Sequence, residues 1–237
     1  MRNRCILFCI FLFLNNSSLN AEEYINLYSA RQQVLMEPLI KSFQEKTNIK
    51  VNVISAKASQ LINKIESEGQ YTKADILLTT DVGRLINAKR KQLFKRVDSK
   101  DLDEKIPKAF KDKDKMWFGL SLRSRILIYN PKKVKISELL GYKNLALEKW
   151  RGRILVRSSN NVYNQSLVAA MIINYGEKNI ERFLKNFVKN FARKPSGGDR
   201  DQIKGIVSGQ GDIALVNSYY FLKMKLNDKD NFLKNTA

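Results

Sequence analysis

The residue types available for chemistry are limited in this chain. The sequence contains no histidine, and its two cysteines, Cys5 and Cys9, lie close to the amino terminus. Catalysis by serine with histidine and metal sites built from imidazole are therefore excluded. The donors that remain for a metal are the oxygens of carboxylates, carbonyls, amides and phenols. The chain has no D-x-D-x-D-G loop, the pattern typical of a calcium site.

Tyrosine is the most distinctive of these donors because its phenolate is a hard anion. A free phenol loses its proton at about pH 10, so only a strongly Lewis-acidic ion such as ferric iron displaces that proton at neutral pH. Tyr163 lies in the predicted loop before a helix that opens at Asn164, and Tyr219 and Tyr220 follow a predicted strand that ends at Val216. Ligands of open α/β sheets bind beyond such strand ends. Aromatic packing at a domain edge is the alternative explanation for Tyr219 and Tyr220.

Two further strand ends carry groups that suit an anion. Arg31 and Gln32 follow the first predicted strand, and Asp81 follows the third, where it is expected to cap a helix. The first N–H groups of a helix are free to bind an anion, and an arginine adds a two-pronged donor. A solvated arginine at the start of a helix is the alternative.

Alternating strands and helices are expected to position these groups. The first half of the chain is predicted to form three strand-helix units, which favour a parallel sheet with helices on both faces. The predicted strands and helices alternate at Tyr24–Ser29, 34–47, Lys50–Ser55, 59–68, 74–80 and 81–92. After an extended run at 117–129, a second α/β segment is predicted from a strand at 152–157, helices at 164–175, 179–190 and 202–208, and a strand at 212–216.

The amino terminus has the order of a secretory signal peptide. Arg2 and Arg4 precede an apolar run and a polar stretch that ends at Ala21, where we expect cleavage. The apolar run is about half as long as a membrane span requires, so a transmembrane anchor is not expected. The formal charge of +20 would suit nucleic acid, but export and the even spread of lysine and arginine disfavour that partner.

Five segments together resemble a known family, the periplasmic ferric-iron-binding proteins of bacterial ABC importers, whose architecture is similar to one lobe of transferrin. The segments are NLYSARQQ at 26–33, ADILLTTDVGRL at 74–85, MWFGLSLRSRILIYNP at 116–131, GRILVRSSNNVYNQSLVAAMI at 152–172 and DIALVNSYYF at 212–221. The YNQS string with SYY downstream is the most specific part, because local pattern alone would not connect these three tyrosines.

The resemblance implies a two-lobed α/β fold of the type II periplasmic-binding-protein class, in which a mostly parallel sheet forms each lobe. It divides the chain into a signal peptide at 1–21, a first lobe at 22–122, a second lobe at 123–226 and the start of a truncated return segment at 227–237. Relatives continue for roughly a hundred further residues, so the carboxyl-terminal portion of the fold is expected to be missing.

The resemblance also implies a ligand set. Tyr163, Tyr219 and Tyr220 would bind Fe3+ as phenolates, while Arg31, Gln32 and Arg123 would hold a synergistic anion such as carbonate or surround the ligands. Some relatives have His-Tyr where this chain has Gln32 and Gln33, so exogenous anion or water would complete the coordination.

The implied function is that of a monomeric, periplasmic, non-enzymatic protein that delivers iron to an inner-membrane ABC permease. One alternative is the same scaffold binding an oxyanion or a small organic acid through Arg31 and Arg123. The other is a hydrolase that uses Asp75, Asp81 and Asp212 as acid and base. Asp75 and Asp212 begin predicted strands, away from the ends where sites form, so an enzyme is not expected.

Overall fold

The computed structural model describes residues 23–228, 233–234 and 236–237. The predicted signal peptide lies outside the described residues, as does part of the predicted return segment. Contacts divide the chain into a first unit that ends at Leu78 and a second unit that begins at Thr79. The lobe boundary between residues 122 and 123 stays a prediction. Within the described ranges, no helix is both long and apolar enough to cross a membrane.

The first unit is a parallel sheet with helices in its connections. Its elements are β1 (Tyr24–Ser29), α1 (Gln33–Thr47), β2 (Lys50–Ser55), α2 (Ala58–Glu68) and β3 (Ile76–Leu78). The strand order is β2-β1-β3, and both pairings are parallel. Because parallel neighbours need a crossover connection, the helices between the strands follow from this topology.

Helix α2 covers one side of this sheet with an apolar stripe. Leu61, Ile62 and Ile65 are buried, and their spacing of one, three and four residues places them on the same helix face. Helix α1 ends where Asn48 adopts a left-handed conformation with φ of 57°, and the Asn48 N–H donates to the Gln44 carbonyl. The predicted α1 and α2 therefore agree with the structure to within one residue at each end.

The second unit contains the other strands and α-helices of the described residues: α3 (Val82–Arg90), α4 (Lys100–Lys105), β4 (Arg125–Tyr129), β5 (Ile154–Leu155), α5 (Val162–Tyr175), α6 (Glu177–Lys189), α7 (Asp199–Val207), β6 (Ile213–Asn217) and α8 (Ser218–Leu226). The predicted extended run at 117–129 is wrong in its first part, because only β4 forms a strand. Leu120 and Leu122 alternate with polar residues but are exposed, with 73% and 72% of their surface accessible. A segment in which apolar and polar residues alternate still needs a neighbouring strand to pair with before it forms a strand.

Strand β6 is the centre of the second sheet. It pairs in parallel with β5 and antiparallel with β4, which places Arg125 beside Asn217. All five β6 residues are buried, and alternate residues enter two separate apolar clusters. Ile213 and Leu215 pack with Trp150, while Ala214 and Val216 pack with the cluster on the opposite face. Packing on both faces fixes β6, and therefore fixes where the chain enters α8.

Candidate metal centre

The three predicted tyrosine ligands lie in the first turns of two helices. Tyr219 and Tyr220 are in the first turn of α8, as predicted. Tyr163 is the second residue of α5, so its predicted position in a loop before Asn164 is wrong. The cause is Asn161, whose side-chain oxygen accepts from the Tyr163 N–H at 3.0 Å and starts the helix two residues earlier.

A sharp strand-to-helix corner brings Tyr219 and Tyr220 to the same side. Asn217 has extended backbone angles and is followed at once by α8. The Ser218 N–H donates to the Ser124 carbonyl at 2.9 Å, which fixes the corner beside the residue that precedes β4. The two tyrosine rings are consequently 4.3 Å apart with an interplanar angle of 34°. In a regular strand, these adjacent side chains would point in opposite directions.

The phenol of Tyr219 joins the three tyrosines. Burial raises the pKa of Tyr219 above its ordinary value, and the nearby phenols of Tyr220 and Tyr163 raise it further. The protein fold therefore collects three phenol oxygens from two separate helices. It also favours the protonated phenol of Tyr219 in the absence of a metal.

Arginine side chains lie over the tyrosine rings. The guanidinium carbon of Arg123 is 4.4 Å from the centre of the Tyr163 ring, and that of Arg157 is 5.5 Å from it. Arg200 lies 5.1 Å from the centre of the Tyr220 ring. A cation over an aromatic face attracts its electron density, and the attraction is stronger when the ring belongs to a phenolate. These arginines thus place positive charge beside the rings of Tyr163 and Tyr220.

Asp81 holds Arg123 in this position. One Asp81 carboxylate oxygen accepts from the Gly83 N–H at 2.9 Å and from the Ser166 hydroxyl at 2.6 Å, so its predicted helix-capping role is confirmed. The other oxygen forms an ion pair with Arg123. The Asp81 carboxylate is almost completely buried, and the residue has a φ of 82°, which is uncommon for a side chain other than glycine.

A second carboxylate, Asp199, pairs with two more arginines. Its oxygens lie 3.1 Å from an Arg125 terminal nitrogen and 3.0 Å from an Arg157 terminal nitrogen. Burial lowers the pKa of Arg125, although an arginine remains charged at neutral pH. These three residues were not identified as site residues from the sequence. The available signal was the position of Arg125 inside a predicted extended run and of Arg157 at the end of a predicted strand, whereas no local pattern marks Asp199.

Arg31 and Gln32 belong to the first unit, whereas Arg123 and the tyrosines belong to the second. Arg31 is half-buried, and its backbone N–H donates to the Ser29 hydroxyl at 3.2 Å. Gln32 is exposed and immediately precedes α1. Their predicted role with an anion stays a prediction.

The carboxylates considered for a hydrolase have structural partners. Asp75 accepts from the Asn26 N–H at 2.8 Å, and Asp212 pairs with Arg153 at 2.7 Å and with Lys133 at 3.1 Å. Burial tends to raise the pKa of Asp212, but the bonds from Arg153 and Lys133 bring it below its ordinary value. Among the described residues, no three side chains of histidine, cysteine, aspartate or glutamate are grouped to hold a metal.

Comparisons with known proteins show which family the chain belongs to. The chain is 44% identical over 199 residues to "Iron uptake protein A1" of Synechocystis sp. and 28% identical over 202 residues to "Fe(3+)-binding periplasmic protein" of Serratia marcescens. The matches cover 84% and 85% of this chain, but only 55% and 59% of those relatives. The chain thus spans little more than half the length of these curated relatives.

A solved structure from Trichodesmium, IdiA (FutA) in complex with iron and citrate, is 43% identical, with a TM-score of 0.86 over 90% of this chain and 69% of that one. This likeness confirms the predicted α/β fold of periplasmic binding proteins. The family model for bacterial extracellular solute-binding proteins matches residues 71–235. That family consists of binding proteins and not enzymes, as the sequence predicted. The chain belongs to the bacterial extracellular solute-binding proteins.

Proposed function

We propose that the protein captures ferric iron through the phenolates of Tyr163, Tyr219 and Tyr220 and delivers it to an inner-membrane ABC permease. The observation that carries the proposal is the grouping of the three tyrosines: the rings of Tyr219 and Tyr220 are 4.3 Å apart, and the phenols of Tyr220 and Tyr163 add to the burial that raises the pKa of Tyr219. The iron and citrate in the Trichodesmium structure and the ferric binding named for the Serratia relative support the choice of ion.

The chemistry of this cluster favours a trivalent ion. Each phenol must lose its proton before it binds a metal, and the raised pKa of Tyr219 makes that loss more costly. Ferric iron, as a strong Lewis acid, can displace such protons and gains hard anionic ligands in return. Calcium and magnesium bind carboxylates and carbonyls instead, and do not deprotonate phenols at neutral pH.

The amino terminus and the relatives support a proposed cellular setting. A signal peptide cleaved near Ala21 would export the chain, and the Serratia relative is named as periplasmic. We propose a monomeric protein in the periplasm that binds neither nucleic acid nor a membrane and has the permease as its partner.

A titration with ferric citrate tests the proposed ligand. The exported protein, stripped of metal with a chelator, should become coloured as iron is added, because phenolate bound to Fe3+ gives a visible charge-transfer band. Magnesium and calcium should produce no band. A protein that stays colourless when ferric citrate is in excess would overturn the proposal.

An anion-binding function without iron is the second candidate. Four buried donor atoms of the second unit have no hydrogen-bond partner among the described residues: the Nε atoms of Arg123, Arg125 and Arg157 and the side-chain nitrogen of Asn217. Calorimetry of the metal-free protein with phosphate or citrate separates the two functions. Binding of these anions to a protein that gives no colour with iron would favour the second candidate.

We also propose that Arg31, Gln32 and Arg123 assist iron binding by holding a synergistic anion, with carbonate as the first choice. Arg31→Ala and Arg123→Lys should weaken iron binding about tenfold, and should do so more strongly at limiting carbonate, while the colour remains. Lysine is preferred at position 123 because alanine would leave the buried Asp81 carboxylate unpaired. Unchanged affinity of both variants at every carbonate concentration would contradict this role.

A further inference from the structure

Asp199 is a buried carboxylate that belongs neither to the proposed iron ligands nor to the proposed anion-binding residues. It is the first residue of α7, and none of its side-chain surface is accessible. Arg157 donates to one carboxylate oxygen at 3.0 Å, and Arg125 donates to the other at 3.1 Å. A buried charge is stable only when its partners are well placed, so this arrangement fixes both arginines.

The same carboxylate reaches the corner that carries Tyr219 and Tyr220. The Asn217 N–H donates to the second oxygen of Asp199 at 2.7 Å. Asn217 is the residue from which α8 begins, and its own side chain does not cap the helix. The start of α8 is therefore held by α7 through Asp199.

The carboxylate also reaches the start of α5, which carries Tyr163. Arg125, paired with Asp199, donates to the side-chain oxygen of Asn164 at 2.6 Å. Asn164 follows Tyr163 in the chain and donates to the Arg157 carbonyl at 2.9 Å. The guanidinium of Arg157, also paired with Asp199, lies over the Tyr163 ring. Two independent routes thus connect one carboxylate to Tyr163.

We propose that Asp199 is a positioning residue for the tyrosine cluster: its carboxylate holds the starts of α5 and α8 at the separation that lets the three phenols meet. The inference rests on the proposed ferric-binding function and adds a residue to it. A carboxylate suits this task because it accepts hydrogen bonds from two guanidinium groups and a backbone N–H at once. An asparagine of the same shape replaces one acceptor oxygen with an NH2 donor, which faces another donor here.

The Asp199→Asn variant tests the proposal against a matched control. Asp212→Asn removes the charge from another paired aspartate just before the opposite end of β6, where Arg153 and Lys133 are its partners. We expect Asp199→Asn to lower ferric affinity by about 10-fold to 100-fold and to shift the visible band, because supporting residues around metal ligands typically have effects of this size. Asp212→Asn should retain the parent affinity and band.

A comparison of thermal stability distinguishes a displaced tyrosine cluster from a general loss of folding stability. Thermal unfolding of both metal-free variants shows whether each is folded, and a parent band in a folded Asp199→Asn protein overturns the inference. If Asp199→Asn does not fold, Asn164→Ala replaces it, because it removes the side-chain oxygen through which Arg125 connects Asp199 to the start of α5. That variant should shift the band, and an unshifted band would overturn the inference.

Failure of the proposed function has a different signature. A parent protein without a visible band refutes iron binding by the tyrosines, whatever the variants do. The position of the rings can then be followed by NMR of tyrosine-labelled, metal-free protein. Changed ring signals of Tyr163 and Tyr219 in Asp199→Asn, but not in Asp212→Asn, support the positioning role, and unchanged signals overturn it.

Discussion

Replacing Tyr219 or Tyr220 with phenylalanine should lower ferric affinity by at least about 100-fold, more than the loss of a residue that only supports the ligands. Phenylalanine keeps the ring and its packing, and removes only the oxygen that would bind the metal. Tyr163→Phe should have an effect of the same order, since its ring would remain under Arg123. Titration with ferric citrate, followed at the visible band, measures all three variants.

The structure identifies the better control for these variants. Arg125 is the first residue of β4 and Tyr129 is the last, so Tyr129 is separated from Arg125 by the length of the strand. Tyr129→Phe should therefore bind iron like the parent. Tyr142 would be a poor control because its hydroxyl donates to the Arg125 carbonyl, in the network behind the tyrosines. Parent affinity and colour in both Tyr219→Phe and Tyr220→Phe would reject the ferric site and favour the anion-binding candidate.

Most of the secondary structure was predictable because it follows from local periodicity. The apolar stripe of α2 and the β-branched strand β2 are set by neighbouring residues, and their predicted bounds agree with the structure to within one residue. The predicted strand before β4 was wrong because a strand does not depend on local periodicity alone. Leu120 and Leu122 have the alternation of a strand, but a strand also needs a partner, which local sequence does not reveal.

The candidate site was predictable only in part. The placement of Tyr219 and Tyr220 at a strand-to-helix corner follows from the rule that ligands bind beyond strand ends. The pairing of Arg125 with Asp199 joins residues separated by 74 positions, and Asp199 has no local motif to announce it. The ion pair of Asp81 with Arg123 also joins residues far apart in the sequence. The sequence therefore predicted only that Asp81 caps a helix.

The arrangement of charge at the site also became visible only in the fold. The chain carries a formal charge of +20, yet the arginines nearest Tyr163 are paired with buried carboxylates. Arg123 pairs with Asp81, and Arg157 pairs with Asp199. Buried carboxylates thus hold both guanidinium groups in place beside the ring, before any ligand binds.

Ferric affinity should fall steeply as the pH is lowered from 8 to 6. The pKa of Tyr219 is raised above about 10, the ordinary value for a phenol, so this residue is protonated throughout the range and must release a proton to bind iron. Each proton released lowers the apparent binding constant about tenfold per pH unit.

Metal-free stability should not share this dependence, which makes it the internal control. A phenol whose pKa is raised by folding stabilises the folded state below its unfolded pKa, and this contribution is lost only as the pH rises through the folded value. Between pH 6 and 8 the contribution of Tyr219 is therefore constant, and any loss of iron belongs to binding. Citrate and hydroxide also compete for iron with their own pH dependence, so proton release should be measured directly by calorimetry in two buffers of different ionisation enthalpy. Tyr219→Phe should release one proton fewer than the parent, while iron binding without proton release would contradict phenolate ligation.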